Sequence, residues 1–173
     1  CFVQFLTSGE EASMQLETGR FRYLFVLQAF TKIYAVPGIR LGYGISSDKA
    51  LLERMETVRQ PWSVSTPAQA AGLSALKEDH REEQTRQLVK SERERMEKEL
   101  ENLRIEYIPS EANFLLFNSE INWFEELKKR GILIRDCANY RGLGNGWYRL
   151  AVRLPEENDR LLECMKQVLN ERS

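Results

Sequence analysis

From Lys77 to Arg104 the chain reads KEDHREEQTRQLVKSERERMEKELENLR, with acidic and basic residues interleaved throughout. Glu82 precedes Arg86, and Glu94 precedes Lys98, at the i, i+4 spacing that supports an exposed helix face. Val89, Met96, Leu100 and Leu103 add a sparse apolar seam. The pattern predicts one long helix joining two lobes, and it fixes the organisation expected for the rest. Residues 1–79 form one lobe, 80–104 the connecting helix and 105–173 a compact α+β lobe.

Each lobe has its own grammar. Phe21 to Phe30 (FRYLFVLQAF) is a continuous apolar run, expected as a strand buried on both faces, as in a parallel sheet. After the turn signal Pro37-Gly38, Ile39 to Ile45 is expected as a second strand. A helix follows from Ser47, with Leu51, Leu52, Met55 and Val58 on one face, and Pro61 ends it. Thr66-Pro67-Ala68-Gln69 has the layout of a capping box opening another helix that runs through Ala75. Beyond Arg104, Ile105–Ile108, Asn113–Phe117, Ile132–Arg135 and Trp147–Val152 read as strands and Trp123–Arg130 as a helix. A last helix starts at Pro155, with Leu161, Leu162, Met165, Val168 and Leu169 on one face.

Composition narrows the function. The 25 Lys and Arg against 26 Asp and Glu give a net charge of −1, so no global field draws nucleic acid or anionic lipid. The uncharged stretch Tyr23–Phe30 is far shorter than the roughly 20 apolar residues of a membrane-spanning helix. No signal-peptide layout opens the chain, so a soluble, cytoplasmic protein is expected. Cys1, Cys137 and Cys164 lack CxxC spacing and His80 is the only histidine, which disfavours a disulfide scaffold, an ordinary zinc site and any two-histidine mechanism.

The segment that carries chemistry is Ala29 to Tyr43, AFTKIYAVPGIRLGY. It places Lys32 just past one strand and Arg40 at the start of the next. On spacing alone these are ordinary solvated residues. If both face one crevice, partial desolvation of Lys32 favours the neutral amine that attacks an aldehyde, and Arg40 offers a planar fork for a phosphate. In Trp147–Val152, Arg149 lies on the strand face opposite Tyr148, Leu150 and Val152, away from the expected core. Arg135, Arg149 and Arg153 read, from pattern alone, as surface ion-pair residues.

TKIYAVPGIRLGY resembles the lysine-bearing segment of fold-type-I pyridoxal-phosphate enzymes, the class I/II aminotransferase superfamily. The branch is that of L-threonine-O-3-phosphate decarboxylase and histidinol-phosphate aminotransferase, with the former closer. Pro61-Trp62-Ser63-Val64, ANFLLF at Ala112–Phe117, ILIRDCANYRGLG at Ile132–Gly144 and WYRLAVR at Trp147–Arg153 extend the similarity, in order, over almost the whole chain. The resemblance implies the C-terminal strands of a large-domain sheet plus an α+β small domain joined by a long helix. It implies that Lys32 binds pyridoxal 5'-phosphate covalently, that Arg40 holds the cofactor phosphate, and that Arg149 and Arg135 grip the anionic groups of a phosphorylated amino acid or amine. It further implies a homodimer and, for the decarboxylase, formation of aminopropanol phosphate for cobalamin. The rival expectations are amino transfer on histidinol phosphate and a non-catalytic interaction module. Asn113 and Tyr140 are expected to satisfy local backbone groups, Trp62 to be a core or interface aromatic, Arg153 to be structural, and Asp136, His80 and the charged run to be solvated.

Two departures from the family pattern stand out. Ala29 replaces the hydroxyl residue usual three positions before the lysine. The glycine-rich phosphate loop and the aspartate of the pyridine nitrogen would precede the segment seen here, so CFVQF is expected to begin immediately after that aspartate's Asp-Glu motif. The chain taken alone is therefore expected to be inactive.

Overall fold

The structure is a computed structural model and describes residues 1–78 and 80–172. It divides into two compact units, Cys1–Arg86 and Gln87–Ser173.

The first unit opens with a 3₁₀ turn (Val3–Phe5), a short helix α1 (Gly9–Ala12) and a second 3₁₀ turn (Leu16–Gly19). Strands β1 (Val26–Ala29) and β2 (Gly42–Ile45) then pair antiparallel, Val26 opposite Ile45 and Ala29 opposite Gly42. Gly42 allows this closeness, because a Cβ there would lie 2.8 Å from the Gln28 carbonyl oxygen. The expectation of a doubly buried, parallel-type strand over Phe21–Phe30 is corrected. Among the described residues only Val26–Ala29 is extended in the sheet, its one partner there is antiparallel, and Leu27 is 71% exposed. A continuous apolar run records what could be buried, whereas burial itself depends on a second covering layer that the described residues do not supply to Leu27.

Helix α2 (Lys49–Val58) starts where the Asp48 carboxylate accepts the Leu51 N–H at 3.1 Å. Its apolar stripe is present, but none of its residues is buried. Helix α3 (Thr66–Ala75) is capped one residue earlier than the capping-box reading. Ser65 Oγ accepts the Ala68 N–H at 3.3 Å, and Gln69 Nε2 donates back to the Val64 carbonyl at 3.1 Å. Trp62, expected in a core or an interface, is 96% exposed with a left-handed φ of 58°.

Helix α4 (Arg81–Asn102) occupies the charged run, beginning in the first unit and continuing in the second. There, strands β3 (Tyr107–Ile108), β4 (Phe114–Asn118), β5 (Arg135–Asp136) and β6 (Trp147–Ala151) form an antiparallel sheet in the order β3-β4-β6-β5. Helices α5 (Trp123–Lys129) and α6 (Pro155–Asn170) complete the unit. The period of two in β4 and β6 puts Leu115, Phe117, Tyr148 and Leu150 into one core with Met96, Leu100, Trp123, Leu127, Leu162 and Met165. Phe114, Leu116, Trp147 and Arg149 point the other way and are half-buried. Among the described residues, no helix is long and apolar enough to cross a membrane.

Candidate functional site

The loop after β1 is held by two apolar anchors. Phe30 and Ile33 are buried, and the Phe30 ring stacks on Tyr34 with centroids 5.0 Å apart. Between them the chain turns tightly, with the Ala35 N–H donating to the Lys32 carbonyl at 3.0 Å. Lys32 itself is exposed, its Nζ 5.4 Å from the centroid of the Phe2 ring. This corrects the desolvation expected for the amine, because a single aromatic face does not remove an ammonium from water. Arg40 is also exposed, and its Nη1 donates to the Pro37 carbonyl at 3.1 Å.

Two residues of this loop, Ala35 at φ 55° and Arg40 at φ 57°, are left-handed although neither is glycine. Such positions cost on the order of 1–3 kcal/mol each and concentrate at functional sites. Among the described residues, neither Lys32 nor Arg40 has a carboxylate within ion-pair distance. Arg40 keeps most of its five donors unengaged, and Lys32 keeps a primary amine open to solvent. That donor set fits an aldehyde and a phosphate on one molecule.

In the second unit Arg135 and Arg149, far apart in sequence, are directly opposed on β5 and β6. Both therefore lie on the sheet face turned away from the core. The Arg149 guanidinium sits 5.0 Å from the Phe114 ring centroid, and the Arg135 guanidinium 5.5 Å from that of Tyr140. Arg135 Nη2 also donates to Asn139 Oδ1 at 3.0 Å. Like charges opposed across strands are unfavourable unless an anion answers them, and no described carboxylate does so. Arg153 behaves differently, pairing with Glu157 at 2.7 Å as an exposed ion pair. Beneath the two arginines lies the buried Cys137, whose thiol is pushed up by burial against the opposing pull of the Arg149 and Arg135 charges.

Tyr140 thus supports an arginine rather than the local backbone, and Asn113 Oδ1 is buried with no hydrogen-bond partner. His80 and Asp136 are exposed, as expected. The charged run hides one feature that spacing did not show: Glu92 and Arg93 are buried. Glu92 Oε2 accepts from Asn158 Nδ2 at 2.7 Å and from Arg95 Nη2 at 2.7 Å. Asn158 in turn bonds both the N–H and the carbonyl of Arg153, at 3.0 and 2.9 Å, fixing the chain just after β6. The only sequence signal for this network is an asparagine on the apolar stripe of α6.

The first unit thus presents a strained loop with a lysine and an arginine that have no carboxylate partner among the described residues, and the second unit, by itself, an opposed arginine pair suited to anions. The aminotransferase class I and II family matches residues 5–164, and the chain belongs to that family, whose enzymes depend on pyridoxal phosphate. It is 39% identical over 151 residues to the threonine-phosphate decarboxylase of Salmonella typhimurium, a match covering 85% of this chain and 42% of that protein. It is 38% identical over 149 residues to the histidinol-phosphate aminotransferase of Symbiobacterium thermophilum, covering 84% of this chain and 40% of that protein. The histidinol-phosphate aminotransferase structure from Clostridium acetobutylicum superposes with a TM-score of 0.91 at 31% identity, over 99% of this chain and 53% of that one. The chain thus has the mixed α/β fold of these enzymes and spans about two fifths of the length of the curated relatives named here.

Proposed function

We propose that the protein carrying this chain decarboxylates L-threonine O-3-phosphate to aminopropanol phosphate. Residues 1–79 belong to its cofactor-binding domain, 80–104 to the connecting helix and 105–173 to its substrate-gripping domain. The observation that carries this reading is the opposed pair Arg135 and Arg149, without a carboxylate partner among the described residues, on the open face of the sheet. Two adjacent guanidinium forks suit a small substrate with two anionic groups, and threonine phosphate has a carboxylate and a phosphate.

Arg149 takes the α-carboxylate and Arg135 the phosphate, each fork resting on an aromatic ring that limits its swing. Arg40 binds the cofactor phosphate, and Lys32 supplies the amine that bonds its aldehyde. Pyridoxal phosphate, when bound, supplies an electron sink for the electron pair left on Cα as a bond there breaks. The same Lys32 amine, when not bonded to the cofactor, would hold and deliver a proton at Cα. Ala29 offers no hydroxyl to the cofactor phosphate, which leaves Arg40 a larger share of that anchoring.

A second reading, amino transfer on histidinol phosphate, is favoured by the likeness to the Clostridium acetobutylicum structure. An aminotransferase also binds a 2-oxo acid, whose carboxylate the same arginines suit, so product analysis separates the two. Incubation of the intact protein with threonine phosphate is expected to release carbon dioxide in step with aminopropanol phosphate. Amino transfer dependent on a 2-oxo acid, without carbon dioxide release, would replace the first reading by the second.

A further inference from the structure

Glu82 and Arg86 have the i, i+4 spacing of an exposed helical ion pair, yet both reach beyond their helix into the first unit. Arg86 Nη2 meets Glu82 Oε2 at 3.0 Å, and only 19% of the arginine side chain is exposed. On one side Glu82 Oε1 accepts a hydrogen bond from the hydroxyl of Tyr34, a residue of the lysine loop 48 positions earlier in the chain. On the other side Arg86 Nε donates to the Gln4 carbonyl at 2.8 Å, inside the 3₁₀ turn that Phe2 opens. Phe2 is the residue whose ring centroid lies 5.4 Å from Lys32 Nζ. One ion pair therefore ties down both the loop that carries the lysine and the turn that brings a ring to its amine.

Each arm restrains a segment that has little else to hold it. Ala35, the residue after Tyr34, is left-handed at φ 55°, and such a conformation persists only where its surroundings enforce it. The bond from the Ala35 N–H to the Lys32 carbonyl closes the turn, while Tyr34 inside that turn is fixed by its stack on Phe30 and by Glu82. Burial, and then the bond to Glu82, hold the Tyr34 phenol above its ordinary range, so it remains a donor. The 3₁₀ turn is anchored by the buried Phe5 and by Arg86. Both arms end on an ionised partner, which makes these bonds stronger than neutral ones.

We propose that Glu82 and Arg86 are positioning residues that hold Lys32 and the Phe2 ring in register, an inference that rests on reading Lys32 as the amine that bonds pyridoxal phosphate. The test compares the intact protein with Glu82→Ala, Glu82→Gln and Tyr34→Phe, each checked for folding by its urea midpoint. In cofactor-free protein, amide hydrogen exchange at Ala35 is expected to be about tenfold faster in Glu82→Ala and Tyr34→Phe. Glu82→Gln keeps an acceptor for Tyr34 and is expected to lie between them and the parent. Brief exposure to pyridoxal phosphate, borohydride reduction and peptide mapping then count the label on Lys32 against that on the exposed Lys49 of α2. The parent is expected to favour Lys32, and the Lys32-to-Lys49 ratio to fall about tenfold in Glu82→Ala. Should Glu82→Ala fail to fold, Tyr34→Phe, which removes a single oxygen, gives the same two readings. If the parent shows no preference for Lys32, the reading of that lysine fails and the proposal with it. If the parent favours Lys32 while the folded variants keep its label ratio or its Ala35 exchange, the positioning role alone is overturned.

Discussion

In the second unit, β4 and β6 bury every other side chain completely, and α4, α5 and α6 all contribute to the core that receives them. In the first, β1 and β2 bury Gln28 but leave Leu27 exposed, α2 buries nothing, and Tyr23, Val58 and Trp62 also face solvent. The arginines proposed to grip substrate therefore stand on a closed scaffold, whereas the loop with the proposed catalytic lysine rests mainly on Phe30 and Ile33. Binding geometry is built into one unit by its own packing, and the covalent chemistry is assigned to the unit that packs least by itself.

The comparison breaks most readily at Trp123. Its indole is fully buried against Phe117, so Trp123→Ala is expected to cost the second unit about 3–5 kcal/mol, read as a lower urea midpoint. A loss under 1 kcal/mol would show that the core is not closed. Next comes the polar tie between α4 and α6. Asn158→Leu strands Glu92 and the Arg153 carbonyl, at a cost of about 1–3 kcal/mol.

The same tie has a pH signature. The hydrogen bond from Arg95 and then that from Asn158 hold the Glu92 carboxyl below its ordinary value, while burial opposes them. A depressed carboxyl gives stability that is complete above its unfolded value, near 4.5, and lost as pH falls through the lower folded value. The urea midpoint is expected to fall on acidification more steeply in the parent than in Glu92→Gln. Equal slopes would remove Glu92 from the account. The smallest effect is expected at Leu27, where Leu27→Ala changes the stability of the 173-residue chain by less than about 0.5 kcal/mol. A larger loss would mean that the first unit is closed after all.

Much of the second unit was legible because amphipathic periods determine burial when the covering elements lie nearby in sequence. Phe114–Asn118, Trp123–Lys129, Trp147–Ala151 and Pro155–Asn170 fall where alternation, Gly131 and Pro155 place them. Phe21–Phe30 misled because a mostly apolar run states a capacity for burial and not its fulfilment. The lysine and the three arginines were singled out in sequence, but their geometry was not. The opposition of Arg135 and Arg149 depends on strand register across a long connection. In the lysine loop, Pro37-Gly38 drew attention to glycine, while the left-handed residues are Ala35 and Arg40. Glu92 was hidden because a charged run on a helix does not show which member turns inward.

The central claim is that the amine of Lys32 is the one that bonds pyridoxal phosphate. Borohydride reduction of the intact protein with that cofactor, followed by peptide mass mapping, tests it directly. The expected result is one pyridoxyl group on the peptide containing Lys32, lost in Lys32→Ala. A label on a different lysine, or none, would contradict the account.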